Sequence, residues 1–289
     1  MTKKLKATLS MFLCAVMVLC SVAVGGMFAN ADTNTSKAIQ LVKDGAAANI
    51  SGGQASNIYF GNYAQSDKTG STKDPIKWRV LANNASSKQL FLLSDQGLDA
   101  VKYHTENENV TWEKSTIRSW LNGYDKNYNN GGDSGTDYTN NNFKDTAFSK
   151  EEQTAIVETK VINNDNIHED ADIYFNFNTD GGEDTDDKIF LLSIDEANNS
   201  GYFSSNTARK CVPTDYAIAQ GAYTNSNYTV DGKATCCWWL RSPGYDGTCA
   251  ADVYIDDVVY IGDSVRDASY CVRPAFNLNL ESVIFTSAA

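Results

Sequence analysis

Apolar residues alternate with polar ones, or cluster, in four stretches that we predict to be β-strands. IYFGNY (residues 58–63) and IKWRVL (76–81) alternate apolar with polar side chains, as expected of strands with one buried face. LFLLS (90–94) is a short apolar run, and IFLLS (189–193) nearly repeats it later in the chain. Both runs have the length and composition of a buried strand.

Four further segments carry the start and stop signals of short helices. The first has apolar residues at helical spacing and a glycine placed to end the helix. The next two begin with Ser-x-x-Glu capping boxes, and the last lies between a proline and a glycine. In chain order, these predicted helices span 111–123, begin at Ser149, begin at Ser193, and span 213–221.

The C-terminal part of the chain has the pattern of strands throughout. WWLR (238–241) ends at a Ser-Pro-Gly turn, and residues 251–255 and 258–261 flank an Asp-Asp pair that predicts a hairpin. Residues 271–280 close the sheet, where Pro274 indicates an edge strand or a bulge. The predicted fold class is therefore α+β, with small antiparallel sheets, several short helices and long polar loops.

The N-terminus has the three parts of a secretory signal peptide. Lysines come first, an apolar run follows over residues 9–27, and Ala29-Asn30-Ala31 supplies a small-x-small cleavage site. We predict a signal peptide over 1–31, a flexible polar tail over 32–57 and a single domain over 58–289. The alternative is a transmembrane anchor. The signal peptide implies secretion, with surface association left open, and no membrane insertion after cleavage.

Charge excludes some classes of partner. Removing residues 1–31 removes three lysines and no acidic residue, which takes the formal net charge from −12 to −15. Nucleic acids and anionic lipids are bound by clustered lysine and arginine, which neutralise phosphate. We therefore expect no nucleic-acid partner.

Five cysteines follow the signal peptide: Cys211, Cys236, Cys237, Cys249 and Cys271. In an exported protein they indicate up to two disulfides and one remaining thiol. Cys249 and Cys271 bracket the predicted hairpin and form the first expected pair. Cys211 is expected to pair with one of the two adjacent cysteines, taken as Cys237, although sequence alone does not decide connectivity. Metal binding by the cysteines is the alternative, but the chain has no C-x-x-C pair.

One acidic segment has the oxygen spacing of a calcium-binding loop, with Gly181 at the position that needs a sharp turn. Helical patterns do not flank it on both sides, so an Asp-rich turn before a strand is the alternative. Calcium is the one cofactor that the sequence suggests. The candidate ligands are Asn176, Asn178, Asp180, Asp184 and Asp187.

The tryptophan-rich strand and its neighbours supply the candidate ligand-binding residues. Trp238 and Trp239 alternate across a strand, so we expect at most one to face the core and the other to face solvent, a ligand or another layer of the protein. Arg241 and Arg273 are expected to bind Asp side chains or backbone carbonyls around the Ser-Pro-Gly turn, or else an anionic ligand. Asp252, in the first strand of the hairpin, completes the candidate set.

Six ordered motifs give the chain a resemblance to a known family. It resembles an uncharacterised family of exported, mostly Firmicute proteins marked by the WLRSPG motif, over residues 58–285. The layout is also similar to the C-type-lectin-like superfamily, which includes sugar binders and the formylglycine-generating oxidases, and this implies a lectin-like fold. The motifs are YFGNY (59–63), PIKWRVL (75–81), TIRSWL (116–121), DKIFLLS (187–193), WWLRSPG (238–244) and VRPAF (272–276).

Two classes of function remain. The first is an extracellular binding module for a glycan or a surface protein, with the polar loops 124–142 and 223–232 near the ligand. The second is an extracellular enzyme, either a carbohydrate-active hydrolase or an oxidase of the formylglycine-generating kind. Two carboxylates or two cysteines that converge in one cleft would favour the enzyme.

Overall fold

Strands make up most of the regular structure, as the alternating pattern predicts. The computed structural model describes residues 40–43, 57–126, 136–168, 176–282 and 284–286. The predicted signal peptide and most of the predicted tail lie outside the described residues. Within the described part of the chain, no helix is both long and apolar enough to cross a membrane.

The strands and helices are numbered in chain order. The strands are β1 (Gln40–Lys43), β2 (Asn57–Tyr63), β3 (Asp74–Asn84), β4 (Gln89–Ser94), β5 (Asp99–Ala100), β6 (Ile156–Val157), β7 (Thr159–Val161), β8 (Asn166–His168), β9 (Phe177–Thr179), β10 (Thr185–Asp187), β11 (Thr224–Val230), β12 (Lys233–Cys236), β13 (Trp238–Pro243), β14 (Cys249–Val253), β15 (Val259–Ser264), β16 (Cys271–Val272), β17 (Ala275–Asn279) and β18 (Ile284–Thr286). The α-helices are α1 (Thr116–Asn122), α2 (Phe143–Ala147), α3 (Lys150–Ala155), α4 (Ile194–Ala197) and α5 (Asp215–Gln220). Short 3-10 turns cover Trp112–Lys114, Asn206–Arg209 and Leu280–Ser282.

A seven-stranded sheet, counted over the described residues, has the order β18-β1-β2-β3-β4-β17-β6. Its central pairs β2–β3, β3–β4 and β4–β17 are antiparallel. Strand β1 lies within the segment predicted to be a tail, and it pairs with both β2 and β18. The sheet therefore begins before residue 58, which corrects the predicted boundary between tail and domain.

A second sheet has the order β15-β14-β13-β16-β5 within the described part of the chain. The predicted hairpin is confirmed, since β14 and β15 pair on either side of the Asp-Asp turn. The prediction that residues 271–280 close a single sheet is wrong. Instead, β16 belongs to this sheet and β17 to the seven-stranded sheet. Arg273 and Pro274 lie between the two strands, at the point where the chain passes from one sheet to the other.

The core of the seven-stranded sheet is an aromatic cluster. The ring of Trp78 lies edge-on to Phe276 with a centroid distance of 4.7 Å, and its indole nitrogen donates to the Phe60 carbonyl at 2.7 Å. Phe60 and Phe148 also pack against Phe276. Strands β2, β3 and β17 are thus joined by the apolar positions that alternate along their sequences.

The predicted helices are present, although the first is shorter than expected. Gly123 ends α1 in the left-handed conformation at φ 74°, a position that favours glycine because it lacks a Cβ atom. Both predicted capping boxes form, at Ser149 for α3 and at Ser193 for α4. Thr214 caps α5, which ends before Gly221. Local signals were sufficient here because caps are made within one turn of chain.

The apolar run IFLLS (189–193), predicted as a strand, forms only an isolated bridge between Phe190 and Ala275. Its residues are buried all the same. Ser193 then caps α4, so the chain turns away after a single pair of backbone hydrogen bonds with Ala275. The apolar run correctly predicted that these residues are buried. It does not indicate whether they pair with a neighbouring strand.

Neither predicted cysteine pair is brought together. The five cysteines of the described chain are free and buried. The Cys236 thiol lies within hydrogen-bond range of the thiols of Cys211 and Cys271. A Cβ atom placed on Gly97 would lie 2.8 Å from the sulfur of Cys271 and 3.3 Å from that of Cys236, so the two sulfurs share one small space.

The other two cysteines lie apart from this cluster. Cys237 interacts with Asp252 and Tyr270, and Cys249 with Tyr245 and Asp246. Adjacent residues of a strand point to opposite faces, which is why Cys236 rather than Cys237 faces Cys211. The predicted pairs Cys249–Cys271 and Cys211–Cys237 are therefore wrong for this fold.

On oxidation, we expect a disulfide to join Cys236 to Cys211 or to Cys271, and Cys237 and Cys249 to remain thiols. Burial raises the pKa of Cys211, Cys236 and Cys271, so these thiols react before the core closes and not afterwards. Peptide mapping after alkylation of the denatured, unreduced protein measures the pairing. A bridge that includes Cys249 would contradict this expectation.

Candidate binding cleft

A cleft of about 310 Å³ opens beside the seven-stranded sheet. It lies over the ends of β3, β4 and β17, and its other walls are β7, the start of α4 and the side chain of Arg241 from β13. Its size falls at the lower end of the range for small-ligand sites. The lining residues are Ala82, Asn84, Gln89, Phe91, Thr159, Lys160, Val161, Ile162, Phe190, Glu196, Tyr202, Arg241 and Asn277.

Three aromatic rings form one wall of the cleft. Phe91 stacks on Phe190 with a centroid distance of 5.9 Å, and it meets the ring of Tyr202 edge-on at 5.6 Å. Phe190 is buried beneath, whereas Phe91 and Tyr202 are half-buried. The two outer rings therefore present apolar surface to the cleft, beside the amide side chains of Asn277 and Gln89.

Arg241 supplies the charged floor of the cleft. Its Nη1 donates to the Leu191 carbonyl at 2.8 Å and forms an ion pair with Glu196, and its Nη2 donates to the Ile162 carbonyl at 3.2 Å. Among the described residues, its Nε finds no hydrogen-bond partner although the side chain is buried. A buried N–H group without an acceptor is costly, so this atom favours an acceptor supplied by water or a ligand.

The position of Glu196 follows from the capping box of α4. Its Oε2 accepts a hydrogen bond from the Ser193 backbone N–H at 2.8 Å and also faces Arg241. The carboxylate is thus held by local and long-range contacts together. The sequence signal of the capping box identified this glutamate as structural, but gave no reason to place it in a cleft.

Both tryptophans of the predicted ligand platform are fully buried, which fits the alternative that the second ring faces another layer of the protein. The Trp238 indole donates to the Arg209 carbonyl at 3.2 Å, and the Trp239 indole donates to the Val101 carbonyl at 3.0 Å. Arg273 is also buried. Its guanidinium lies 4.9 Å from the Trp238 ring centre, so these three residues belong to the core.

The contacts of Arg273 are with backbone carbonyls, as one of the two sequence expectations proposed. Its Nε donates to the Ser94 carbonyl at 2.8 Å and its Nη1 to the Arg209 carbonyl at 3.3 Å. These carbonyls do not belong to the Ser-Pro-Gly turn. Burial lowers the pKa of Arg273 to about 10. Its role is to join the two sheets at the point where the chain crosses between them.

The candidate calcium ligands do not converge on one point. Asp187 is buried and pairs with Arg118, whereas Asp184 is exposed and pairs with Lys160. Asp180 accepts from the Gly182 backbone N–H, while Asn176 and Asn178 are exposed near β9. In the described part of the chain, no group of three or more Asp, Glu, His or Cys side chains could hold a metal ion.

A larger cavity of about 580 Å³ lies on another side of the domain, between β12 and the start of α5. Its lining includes Gln65, Asp74, Thr214 and Lys233, but no aromatic ring. The smaller cleft has both aromatic surface and a charged pair, Arg241 with Glu196, in its lining. It is therefore the stronger candidate for ligand binding.

Comparison with known proteins identifies the family of this domain. The sequence profile of a domain of unknown function, DUF6273, matches residues 87–280, which is more than half of the chain. The chain belongs to the DUF6273 family. No curated protein and no solved structure is similar enough to the chain to match it. The DUF6273 match begins just before β4, so β2 and β3 precede it although they complete the same aromatic core.

The prediction of an uncharacterised domain family is thereby confirmed. The α+β class is confirmed as well, since sheets dominate and the helices are short. The DUF6273 match contains Glu196, Tyr202 and Arg241 of the cleft. The sequence pointed to Arg241, whereas Phe91 and Tyr202 carried no signal, because a wall assembled from distant segments has no local pattern.

Proposed function

We propose that this DUF6273 protein is an exported binding module with a C-type-lectin-like fold, and that it binds glycans in the cleft over Arg241. The observation that carries the proposal is that the cleft is lined by the paired rings of Phe91 and Tyr202 together with the ion pair of Arg241 and Glu196. Sugar rings present apolar C–H faces and many hydroxyl groups. A site with aromatic surface and precisely oriented polar groups suits both.

The polar groups around the rings match the hydroxyl groups of a sugar. Asn84, Gln89 and Asn277 carry side-chain amides that can both donate and accept hydrogen bonds. Arg241 offers a donor and Glu196 an acceptor at the opposite end of the wall. The cleft therefore provides for a ligand that is neutral or carries a single negative charge.

The composition of the cleft favours binding over hydrolysis. Glu196 is the single carboxylate among its lining residues, and Arg241 holds it in an ion pair. Glycoside hydrolysis normally needs a pair of carboxyl groups across the scissile bond. An oxidase of the formylglycine-generating kind would use accessible cysteines, whereas the three clustered cysteines are buried. Export rests on the basic and apolar N-terminus and on the small-x-small site before Asp32.

A glycan and mucin array tests the proposal, run once with calcium and once with a chelator. We expect binding to a restricted set of glycans, and Tyr202→Ala should weaken it by at least about tenfold because it removes one ring of the wall. Tyr260→Ala is the matched control, since Tyr260 is exposed on a different sheet. Both variants are first compared with the parent protein by thermal unfolding.

The array distinguishes the parts of the proposal. Signal that needs calcium would support a metal role for the loop 176–187, and signal that survives the chelator would remove that role. Equal loss in Tyr202→Ala and Tyr260→Ala would place the ligand elsewhere than the cleft. A blank array under both conditions would overturn glycan binding and leave a surface protein as the partner to seek.

A further inference from the structure

A second surface, on the outer strands of the five-stranded sheet, gathers carboxyl groups and tyrosines on one face. Asp252 lies opposite Tyr260 and Ala250 opposite Asp263, with a shift of register between the two pairs. Paired residues share a face, and the extra residue in β15 brings Asp263 to the same face as Tyr260. Tyr254 follows two residues after Asp252. We call Asp252, Tyr254, Tyr260 and Asp263 the acidic tyrosine face.

Asp252 lacks the partner that a buried carboxylate requires. It is 0% exposed, and among the described residues no hydrogen-bond donor reaches either of its Oδ atoms. The neighbouring group with the largest electrostatic influence on it is another carboxyl, that of Asp263. Burial, together with Asp263, raises the pKa of Asp252 to about 10. At neutral pH the buried Asp252 carboxyl therefore keeps its proton.

The groups that surround Asp252 add to the negative field. Burial and the charge of Asp252 raise the pKa of Tyr270, and Asp256 with Asp252 raises that of Tyr260. The charged groups with the largest influence on Asp252 are carboxylates from the turn, from β15 and from the segment after β15. The titratable groups that face Asp252 are Asp256, Asp263, Asp267, Cys237, Tyr254, Tyr260 and Tyr270.

Aromatic rings stand next to these carboxyl groups. Tyr254 and Tyr260 meet edge-on with a centroid distance of 5.2 Å, and Tyr260 is 43% exposed. Beneath them, Tyr270 stacks on Trp239 at 4.3 Å. Ring faces attract cations because of the quadrupole of the π-system, and a nearby carboxylate adds to that attraction.

The same surface already holds one ammonium group of the protein. The Nζ of Lys210 lies 6.0 Å from the centre of the Tyr228 ring and 3.8 Å from a carboxylate oxygen of Asp257. Tyr228 is exposed and close enough to Tyr260 to influence its pKa. A tyrosine ring with an aspartate beside it thus binds an ammonium ion at the edge of the acidic tyrosine face.

We propose that the acidic tyrosine face is a binding site for an organic ammonium ion, with Tyr254 and Tyr260 against its alkyl groups and the Asp252–Asp263 pair as its counter-charge. The cation replaces the proton of Asp252, so one proton is released to solvent for each cation bound. This site lies on a different sheet from the cleft over Arg241, and the proposal does not depend on glycan binding.

The chemistry favours an organic cation over a metal ion. Two carboxyl groups beside tyrosine rings provide few of the six to eight oxygens that calcium takes, and the described residues contain no cluster of three metal-ligating side chains. Ring faces instead suit a weakly hydrated alkylammonium group, whose methyl groups contact the rings directly.

Isothermal titration with choline chloride tests the site, and 3,3-dimethylbutan-1-ol is the control ligand because it has the same shape without the charge. We expect choline to bind at least about tenfold more tightly than the alcohol. Between pH 6.5 and 8.5, choline affinity should rise by about tenfold per pH unit, because each cation displaces one proton. Titration in two buffers of different ionisation enthalpy measures that proton directly.

Variants of the exposed Tyr260 and the half-buried Asp263 locate the site without disturbing the core. Tyr260→Ala should weaken choline binding by roughly threefold to thirtyfold, and Asp263→Asn by at least about tenfold, with loss of the pH dependence. Tyr202→Ala, in the cleft, is the control and should bind choline normally. Equal affinity for choline and the alcohol, an affinity that does not change with pH, or full binding by Asp263→Asn would each overturn the proposal.

Discussion

Replacing Asp187 with asparagine is expected to lower the free energy of unfolding by about 3–5 kcal/mol. This is the cost of removing one charged partner of a buried ion pair. Asp187 is fully buried, and its carboxylate accepts hydrogen bonds from Arg118 at 2.8 and 3.1 Å. It also accepts from Trp112 at 3.0 Å, Tyr124 at 3.0 Å and Thr185 at 2.7 Å. An asparagine would remove the negative charge that Asp187 places against the buried Arg118 guanidinium.

Urea unfolding of Asp187→Asn, compared with Asp186→Asn, measures this effect. Asp186 is the exposed neighbour in the same strand, so its replacement removes a similar charge without touching the buried network. We expect Asp186→Asn to change the free energy of unfolding by less than about 0.5 kcal/mol. A loss below about 1 kcal/mol in Asp187→Asn would mean that the network does not stabilise the fold as the contacts indicate.

The Asp187 network also gives Asp187 a structural role within the acidic segment 176–187. A calcium ion would have to take Asp187 from Arg118, and Asp184 faces the solvent on the other side of the strand. The spacing of oxygen-bearing residues along the sequence is the same for both roles. Only the position of Arg118, which comes from α1, distinguishes a buried ion pair from a metal ligand.

Replacing Asp252 with asparagine is expected to stabilise the protein increasingly as the pH rises. In the folded state burial and Asp263 raise the pKa of Asp252 to about 10, far above its value of 3.8 in an unperturbed chain. A raised pKa contributes stability that is fully present below the unfolded pKa and is lost as the pH rises through the folded pKa. The unfolding free energy of the parent protein should therefore fall, relative to Asp252→Asn, between about pH 5 and pH 9.

The slope of that difference should approach about 1.4 kcal/mol per pH unit, because one proton is bound in the folded state and not in the unfolded state. Chemical unfolding of both proteins at several pH values measures it. Asp231→Asn is the control, since Asp231 is exposed and its left-handed backbone at φ 49° suits asparagine equally well. A difference that does not change with pH would show that Asp252 is ionised in the folded protein.

The cysteines and the tryptophans show why local sequence patterns do not predict side-chain burial or cysteine pairing. Sequence placed both tryptophans on a strand, and alternation left open whether the second ring faces solvent, a ligand or another layer of the protein. In the structure β13 lies between β14 and β16, and other segments cover it on both sides, so both rings are buried. Likewise, chain proximity suggested Cys249 with Cys271, whereas the fold sets Cys271 beside Cys236. Burial and pairing depend on which segments pack above and below a strand.

The sequence by itself determined the elements that need only neighbouring residues. Its alternation gave the strands β2, β3 and β4, its capping boxes gave α3 and α4, and its ordered motifs gave membership of an uncharacterised family. The tertiary structure alone decided the sites. The cleft joins residues from β4, β7, α4 and β13, and the acidic tyrosine face depends on a bulge in β15. Caps and alternation are set within a few residues, whereas a site is set by contacts between segments distant in the chain.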